Sequence, residues 1–192
     1  MLKATMVAAL ISSIIGFSSL GFSGQASASK PFTGFITGAN IGISHMEVNT
    51  HQGSVSDTGM NYEALIGYRV ETDNHWVWGI EGALGDSRVN IDTANSQLDF
   101  DYAWHWTVSL GKVIGDNSEQ LIYLKAGVGG IQVDPVVHGV AQAVDNYQGG
   151  YFGLGYERAV SESLSVRVQA TYIEYDPSFD QQQLNMGFIY KF

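Results

Sequence analysis

The chain has no cysteine, only three prolines, and charged side chains at just 15% of its 192 residues. Without cysteine, the fold cannot depend on a disulfide framework. Basic residues are scarcer still: nine Lys and Arg stand against nineteen Asp and Glu, a formal net charge of −10. That balance argues against nucleic acid and anionic lipid as electrostatic partners, and reads first as solubility and colloidal repulsion rather than as a cation site. Long apolar runs are also missing beyond the N-terminus. A spanning helix needs about 20 mostly apolar residues, and no segment after residue 28 approaches that. Helical periodicity is absent as well, so a bilayer, if this chain meets one, must be met with strands.

What is present begins with an export signal. Lys3 supplies a positive start, Ala4 to Leu20 is apolar but diluted by Ser12, Ser13, Ser18 and Ser19, and Ala26-Ser27-Ala28 fits the small-residue cleavage rule. Residues 1–28 are therefore read as a signal peptide and residues 29–192 as one domain. Lys3 leaves with the signal, which makes the mature chain more acidic still.

In the mature part, period-2 alternation recurs eight times. The runs place Phe35, Thr37, Ala39, Ile41 and Ile43 on one face; then Tyr62, Ala64, Ile66 and Tyr68; Trp76, Trp78, Ile80, Gly82 and Leu84; and a long run from Leu98 through Tyr102, Trp104, Trp106 and Val108 to Leu110. Ile122, Leu124, Ala126 and Val128 follow, then Phe152, Leu154 and Tyr156, and Val166, Val168, Ala170 and Tyr172. The last run, Leu184, Met186, Phe188, Tyr190 and Phe192, ends on the final residue. Small or polar residues alternate with all of them. The fold class is all-β.

Between the runs, long connections (Glu47 to Met60, Asp86 to Gln97, Asp134 to Asp145) alternate with short ones (Glu71 to His75, Gly115 to Glu119, Val160 to Ser163), and a moderate one spans Asp176 to Gln181. Long loops at one end and tight turns at the other mark a transmembrane barrel, with the turns and both termini periplasmic. Periodicity alone leaves the alternative of a soluble, lipocalin-like barrel with its apolar set inside. Side-chain size decides: Gly, Ser, Thr and Asn suit a tight interior, whereas the bulky set suits lipid. A soluble barrel would also carry a dense Lys and Glu surface. Trp76, Trp78, Tyr68, Tyr156, Tyr190 and Phe192 are candidate girdle residues at headgroup level, with Trp104 and Trp106 deeper. The expected architecture is an eight-stranded antiparallel up-and-down transmembrane β-barrel in the cell outer membrane of a Gram-negative bacterium.

Together, Gly34-Phe35-Ile36-Thr37-Gly38-Ala39-Asn40-Ile41-Gly42, Lys125-Ala126-Gly127-Val128-Gly129, Gly153-Leu154-Gly155-Tyr156-Glu157 and the terminal Phe192 resemble the small outer-membrane β-barrels of the opacity-protein and OmpA-like transmembrane-domain kind, a porin-like family. The resemblance covers essentially the whole mature chain. It implies that Phe188, Tyr190 and Phe192 form the terminal signal recognised by the barrel assembly machinery. No periplasmic domain follows Phe192, so cell-wall tethering is not expected.

The polar face carries Glu63, Arg69, Glu81, Lys125, Glu157, Arg167 and Lys191. Confined together, opposite charges should pair, since an unpaired buried charge is very costly. An ion-pair plug is favoured over a regulated gate, because eight strands leave an interior just wide enough to be filled by side chains. Asp99 and Asp101 read as a solvated rim. His45, His51, His75, His105 and His138 lack metal-ligand spacing, and no metal or other cofactor is expected. Lipid hydrolysis would need a nucleophile beside its base. His105 with Thr107 is the nearest pair, and it faces inward, so no enzyme is expected. The Gly-x-Gly motifs fall in strands rather than ahead of a helix, which leaves a phosphate loop unsupported. The expected role is structural or surface-interacting, in adhesion or membrane integrity, through extracellular loops that could meet a host or cell-surface ligand. A small low-conductance channel is the alternative and a lipid-A-modifying enzyme the third reading.

Overall fold

Alternating apolar residues become strands because β-branched and aromatic side chains fill one pleated face while the backbone pairs laterally. The computed structural model describes residues 30–50, 53–88, 90–93, 96–115, 117–137, 140–141, 145–176 and 179–192. The predicted signal peptide lies outside them. Among the described residues ten strands form: β1 (Gly34–Thr50), β2 (Gly53–Glu71), β3 (Trp76–Arg88), β4 (Asn90–Thr93), β5 (Ser96–Ile114), β6 (Gln120–Val137), β7 (Val140–Ala141), β8 (Asp145–Ala159), β9 (Leu164–Asp176) and β10 (Phe179–Lys191). Their hydrogen-bonded order is β4-β5-β3-β2-β1-β10-β9-β8-β6-β7, and a further pairing of β5 with β6 closes the sheet. The short strands β4 and β7 extend β5 and β6. The closed wall thus has eight antiparallel strands, each beside its neighbour in the chain, with β10 returning to β1.

The wall is inverted relative to a soluble barrel. Ile66 is 63% exposed and Phe188 61%, whereas Arg167 is 1% and Gln169 0% exposed. Outward residues of every long strand form an apolar band, and closure leaves no unpaired edge within it.

Both described termini lie at one end, together with the turns around Thr72–His75, Gly115–Glu119 and Val160–Ser163. His75, at φ 62°, takes the left-handed conformation that closes the first turn, where its N–H donates to Thr72 O at 3.0 Å. At the opposite, distal end the connections predicted as loops are largely strand. β1 and β2 stay in register to Thr50 opposite Gly53, so most of Glu47 to Met60 is a projecting hairpin. β4 occupies part of Asp86 to Gln97, and β6 with β7 occupies part of Asp134 to Asp145. The moderate connection predicted at Asp176 to Gln181 contracts likewise, because β9 reaches Asp176 and β10 starts at Phe179. In these segments the apolar alternation that marks a lipid-facing strand lapses, yet pairing continues because backbone hydrogen bonds do not need an apolar face. A tilted strand crosses a bilayer in about 9–11 residues, and β1, β2 and β5, of 17, 19 and 19 residues, project well beyond it.

The face predicted to run unbroken from Leu98 to Leu110 is interrupted. Phe100 stands opposite Val133 and Ala103 opposite Ile131, so three steps on β5 match two on β6. The bulge breaks the regular pairing of β5 with β6 between Phe100 and Ala103.

Inside, the filling is not uniformly polar. Phe32, Val77, Val113, Leu121, Tyr123 and Ala159 form an apolar cluster at the terminal end, and Met46, Ile131, Tyr151, Ile173, Tyr175 and Phe179 form another toward the distal end. Ile36, Leu65, Ala83 and Ile189 line one wall between them. The charged residues occupy the space that remains.

Candidate functional site

Strand alternation points Glu63 and Arg69 of β2, Glu81 of β3, Lys125 of β6, Glu157 of β8 and Arg167 of β9 into the barrel, where all six are buried. Inward glycines make room for them. Gly153 stands opposite Lys125 and Gly155 opposite Tyr123, while Gly187 stands opposite Asn40.

Five of the six form one connected array. Arg69 Nη2 lies 2.6 Å from Glu81 Oε1 and Arg69 Nη1 lies 2.8 Å from Glu157 Oε2. Arg167 Nη1 takes the second Glu81 oxygen at 3.1 Å. Arg167 Nε donates to Asn40 Oδ1 at 2.9 Å, and the Asn40 amide in turn donates to Glu63. Glu63 also accepts from Gln169 Nε2 at 3.3 Å and lies 3.8 Å from Arg167 Nη2. Lys125 is held differently: its Nζ stands 5.0 Å from the Tyr151 ring centre, with no hydrogen-bond partner among the described residues. Three carboxylates thus face Arg69, Lys125 and Arg167, and the six together are electrically balanced. Desolvating each ion is costly, and only such multiple pairing offsets it.

Lys191, predicted to join this set, does not. It is half-buried at the terminal rim, with Nζ 3.4 Å from Lys30 O. Its alternation is inward, but β10 ends there and the side chain turns to the mouth. Asn40, Gln169 and Phe32 are the members that sequence reasoning did not single out. Asn40 and Gln169 sit at inward positions of β1 and β9, and that alternation was the available signal.

His105 and Thr107, the nearest approach to a base and nucleophile, are not hydrogen-bonded to each other among the described contacts. His105 stacks on Tyr151 with ring centres 4.3 Å apart, and its Nδ1 lies 3.9 Å from Glu63. Thr107 Oγ1 has no hydrogen-bond partner among the described residues. A cavity of about 20 Å³ touches Asn61, Glu63, His105 and Gln183, room for about one water molecule. His45 Nδ1 meets Thr58 Oγ1 at 2.9 Å, and His75 Nδ1 lies 3.4 Å from Glu71. His51, His138 and the side chains of Asp99 and Asp101 lie outside the described residues.

At the terminal rim, Lys30 reaches Asp73 at 2.7 Å, and its hydrogen bond and charge hold that exposed carboxyl below the usual carboxylate range. Thr33 Oγ1 accepts from the Glu71 N–H at 2.9 Å. These contacts fix the segment that inserts Phe32 into the mouth. Lys112 Nζ stands 5.2 Å from the Trp76 ring centre and donates to Asn74 O at 2.5 Å, a cation beside an aromatic girdle. Phe188, Tyr190 and Phe192 all face outward, and the Phe192 N–H donates to Phe35 O at 3.0 Å. The outward Tyr156, another girdle candidate, is covered by its neighbours and donates to Gln120 Oε1 at 3.0 Å.

Similar proteins share this architecture. Neisserial surface protein A has 17% identity and a TM-score of 0.57, over 83% of this chain and 98% of its own. Ail, the attachment invasion locus protein of Yersinia pestis, has 18% identity and a TM-score of 0.56, over 83% and 99%. The N-terminal β-barrel domain of Pseudomonas aeruginosa OprF has 12% identity and a TM-score of 0.50, over 81% and 97%. These are likenesses of fold. No curated protein matches the sequence. The family model for the outer membrane protein beta-barrel domain matches residues 16–192, and with a closed, lipid-faced barrel of eight strands the chain belongs to that family and resides in the outer membrane.

Proposed function

We propose that the barrel is a closed scaffold that presents an acidic surface outside the cell and acts in adhesion or membrane integrity rather than in transport or catalysis. The observation that carries this reading is the filled interior. A balanced ion-pair array joins Arg69, Glu81, Glu157 and Arg167, and apolar clusters lie toward either end. A conducting path would have to breach all three.

Charge placement supports the partner class. With the termini periplasmic, the distal segments carry Glu47, Asp57, Asp86, Asp92, Asp99, Asp101, Asp134, Asp145, Glu174, Asp176 and Asp180. Arg88 is the one Lys or Arg in those stretches of sequence. The net negative charge of the chain therefore belongs almost wholly to its outer end. Such a surface favours basic partners and raises their encounter rate. Ail has been solved in complex with a heparin analogue, sucrose octasulfate; a polyanion of that kind would be repelled here.

The test uses the protein in proteoliposomes. Binding of a basic peptide such as oligolysine should be strong at low salt and weaken as ionic strength screens the loops. Trimming Glu47 to Met60 should reduce that binding while the barrel keeps its heat-modifiable mobility on gels. Salt-insensitive binding would count against the acidic surface. Solute flux through wild-type protein would favour the channel instead, and altered lipid A in expressing cells the enzyme.

A further inference from the structure

The distal rim has a notch, because β9 and β10 turn back before their neighbours do. Pairing of β8 with β9 stops at Gly150 opposite Glu174, and pairing of β1 with β10 stops at Val48 opposite Phe179. β8 nevertheless continues to Asp145 and β1 to Thr50. Residues 145–148 keep β6 on one side, with Gln148 opposite Gly130 and Asp145 opposite Val133. On the other side they have no strand among the described residues. β2 also outruns β3, since their pairing begins at Met60 opposite Arg88, but there β4 lies alongside β2. β8 and β1 are three interstrand spacings apart in the wall, so the notch is roughly 14 Å across.

An unpaired edge presents a row of N–H and C=O groups that another chain can use, and proteins usually blunt it with Lys, Pro or a bulge. Asp145-Asn146-Tyr147-Gln148 contains no Lys or Pro and pairs with β6 without a register shift. The two faces beside this edge differ. On the lumen side Tyr147 is 37% exposed and its ring stands edge-on to Phe179 at 5.8 Å, while Phe179 stacks on Tyr175 at 4.8 Å. On the outward side Glu47 of β1 stands opposite Asp180 of β10, and Asp180 opposite Glu174 of β9. Like charges directly opposite one another are destabilising, so this row gains from an added cation. A strand laid along β8 would carry apolar side chains on the Tyr147 face and cations on the Glu174 face.

We propose that the distal edge of β8 docks an extended basic segment of a partner protein, which joins the sheet as an antiparallel strand with apolar residues over Tyr147 and Lys or Arg over Glu174, Asp180 and Glu47. Main-chain hydrogen bonds supply affinity in this mode, and the alternate side chains supply specificity. The proposal rests on the acidic-surface reading above and gives that surface a location and a backbone geometry.

The experiment measures binding of an alternating Lys-Val peptide to the full barrel in phosphatidylcholine nanodiscs, beside two forms N-methylated at every Lys or at every Val. Each methylation removes the backbone donors of one peptide edge, and only one edge faces β8. One methylated form should therefore bind like the parent and the other about tenfold more weakly. Tyr147→Ser should weaken the parent peptide and leave oligolysine unchanged. Because the chain has no cysteine, single introduced thiols locate the peptide: Gln148→Cys should trap a peptide carrying a central Cys as a disulfide, and Ser56→Cys, on the β1–β2 hairpin, should not. Gel mobility of unboiled samples establishes that each variant folds. Equal affinity of the two methylated peptides, or equal trapping by the two Cys variants, would overturn the proposal. If oligolysine still binds in a salt-sensitive way in that event, the acidic-surface reading stands without this site; loss of oligolysine binding as well would remove both.

Discussion

Glu81 is bridged to Arg167: one carboxylate oxygen lies 3.1 Å from the Arg167 guanidinium, while its other oxygen lies 2.6 Å from Arg69. Two cations therefore share this one anion, 1% exposed, although Arg69 also reaches Glu157 and Arg167 also lies near Glu63. Removing one partner of a buried pair costs about 3–5 kcal/mol because the remaining charge stays desolvated. Glu81→Gln should lower the barrel's stability by about that amount, read from urea titration of protein refolded in vesicles. A loss under about 1 kcal/mol would mean that water, not Glu81, solvates the two guanidiniums.

Conductance is expected to be indifferent to the same position. Glu81→Lys would break the ion-pair array, yet Phe32, Val113 and Leu121 remain toward one mouth and Met46, Ile173 and Tyr175 toward the other. In planar bilayers the wild type and Glu81→Lys should both show no resolved single-channel steps. Steps that appear only in Glu81→Lys would identify the array as the barrier and make the protein a gated pore.

The external wall was legible in the sequence because lipid-facing positions obey one rule, an apolar residue at every second place, and Ile66 or Phe188 has no other constraint to satisfy. The interior was half legible. Glu63, Arg69 and Glu81 could be assigned inward, but which pairs with which depends on strand stagger, and Arg167 reaches Asn40 across 127 residues of sequence. Apolar members such as Tyr123 and Ile173 occupy positions of the polar face, and alternation alone cannot distinguish a layer of that kind from a polar lining. Lys191 shows the rule failing at its boundary: inward phase places a residue inside only where a wall continues around it. The projecting hairpins escaped for the opposite reason, since strands in water need no apolar face.

Glycine spacing sets where large inward residues fit. A Cβ built on Gly155 would clash with the hydroxyl end of the Tyr123 ring, and Tyr123 is 3% exposed with Gln169 Oε1 3.3 Å from its hydroxyl. Gly155→Val should therefore fail to fold, giving no heat-modifiable band after refolding. Tyr123→Ala in the same chain should restore the band by vacating the volume, a coupling expected of residues in direct contact. A folded Gly155→Val single variant would show that the ring can leave its seat unaided.

Deleting Phe192 would distinguish a role in stability from one in assembly. Phe192 is 78% exposed, its ring packs edge-on to Tyr190 with centres 5.1 Å apart, and its backbone adds one hydrogen bond, to Phe35. So exposed a residue holds little of the barrel together: a typical hydrogen bond contributes about 0.5–1.5 kcal/mol net, and the ring faces lipid whether or not the chain ends there. Deleting Phe192 should accordingly leave in vitro refolding into detergent close to wild type. If Phe192 belongs to the assembly signal that the family resemblance implies, the same deletion in cells should sharply reduce the folded protein in outer-membrane fractions. Normal membrane levels of the variant would remove Phe192 from any role in assembly, and equal losses in cells and in detergent would assign it to stability instead.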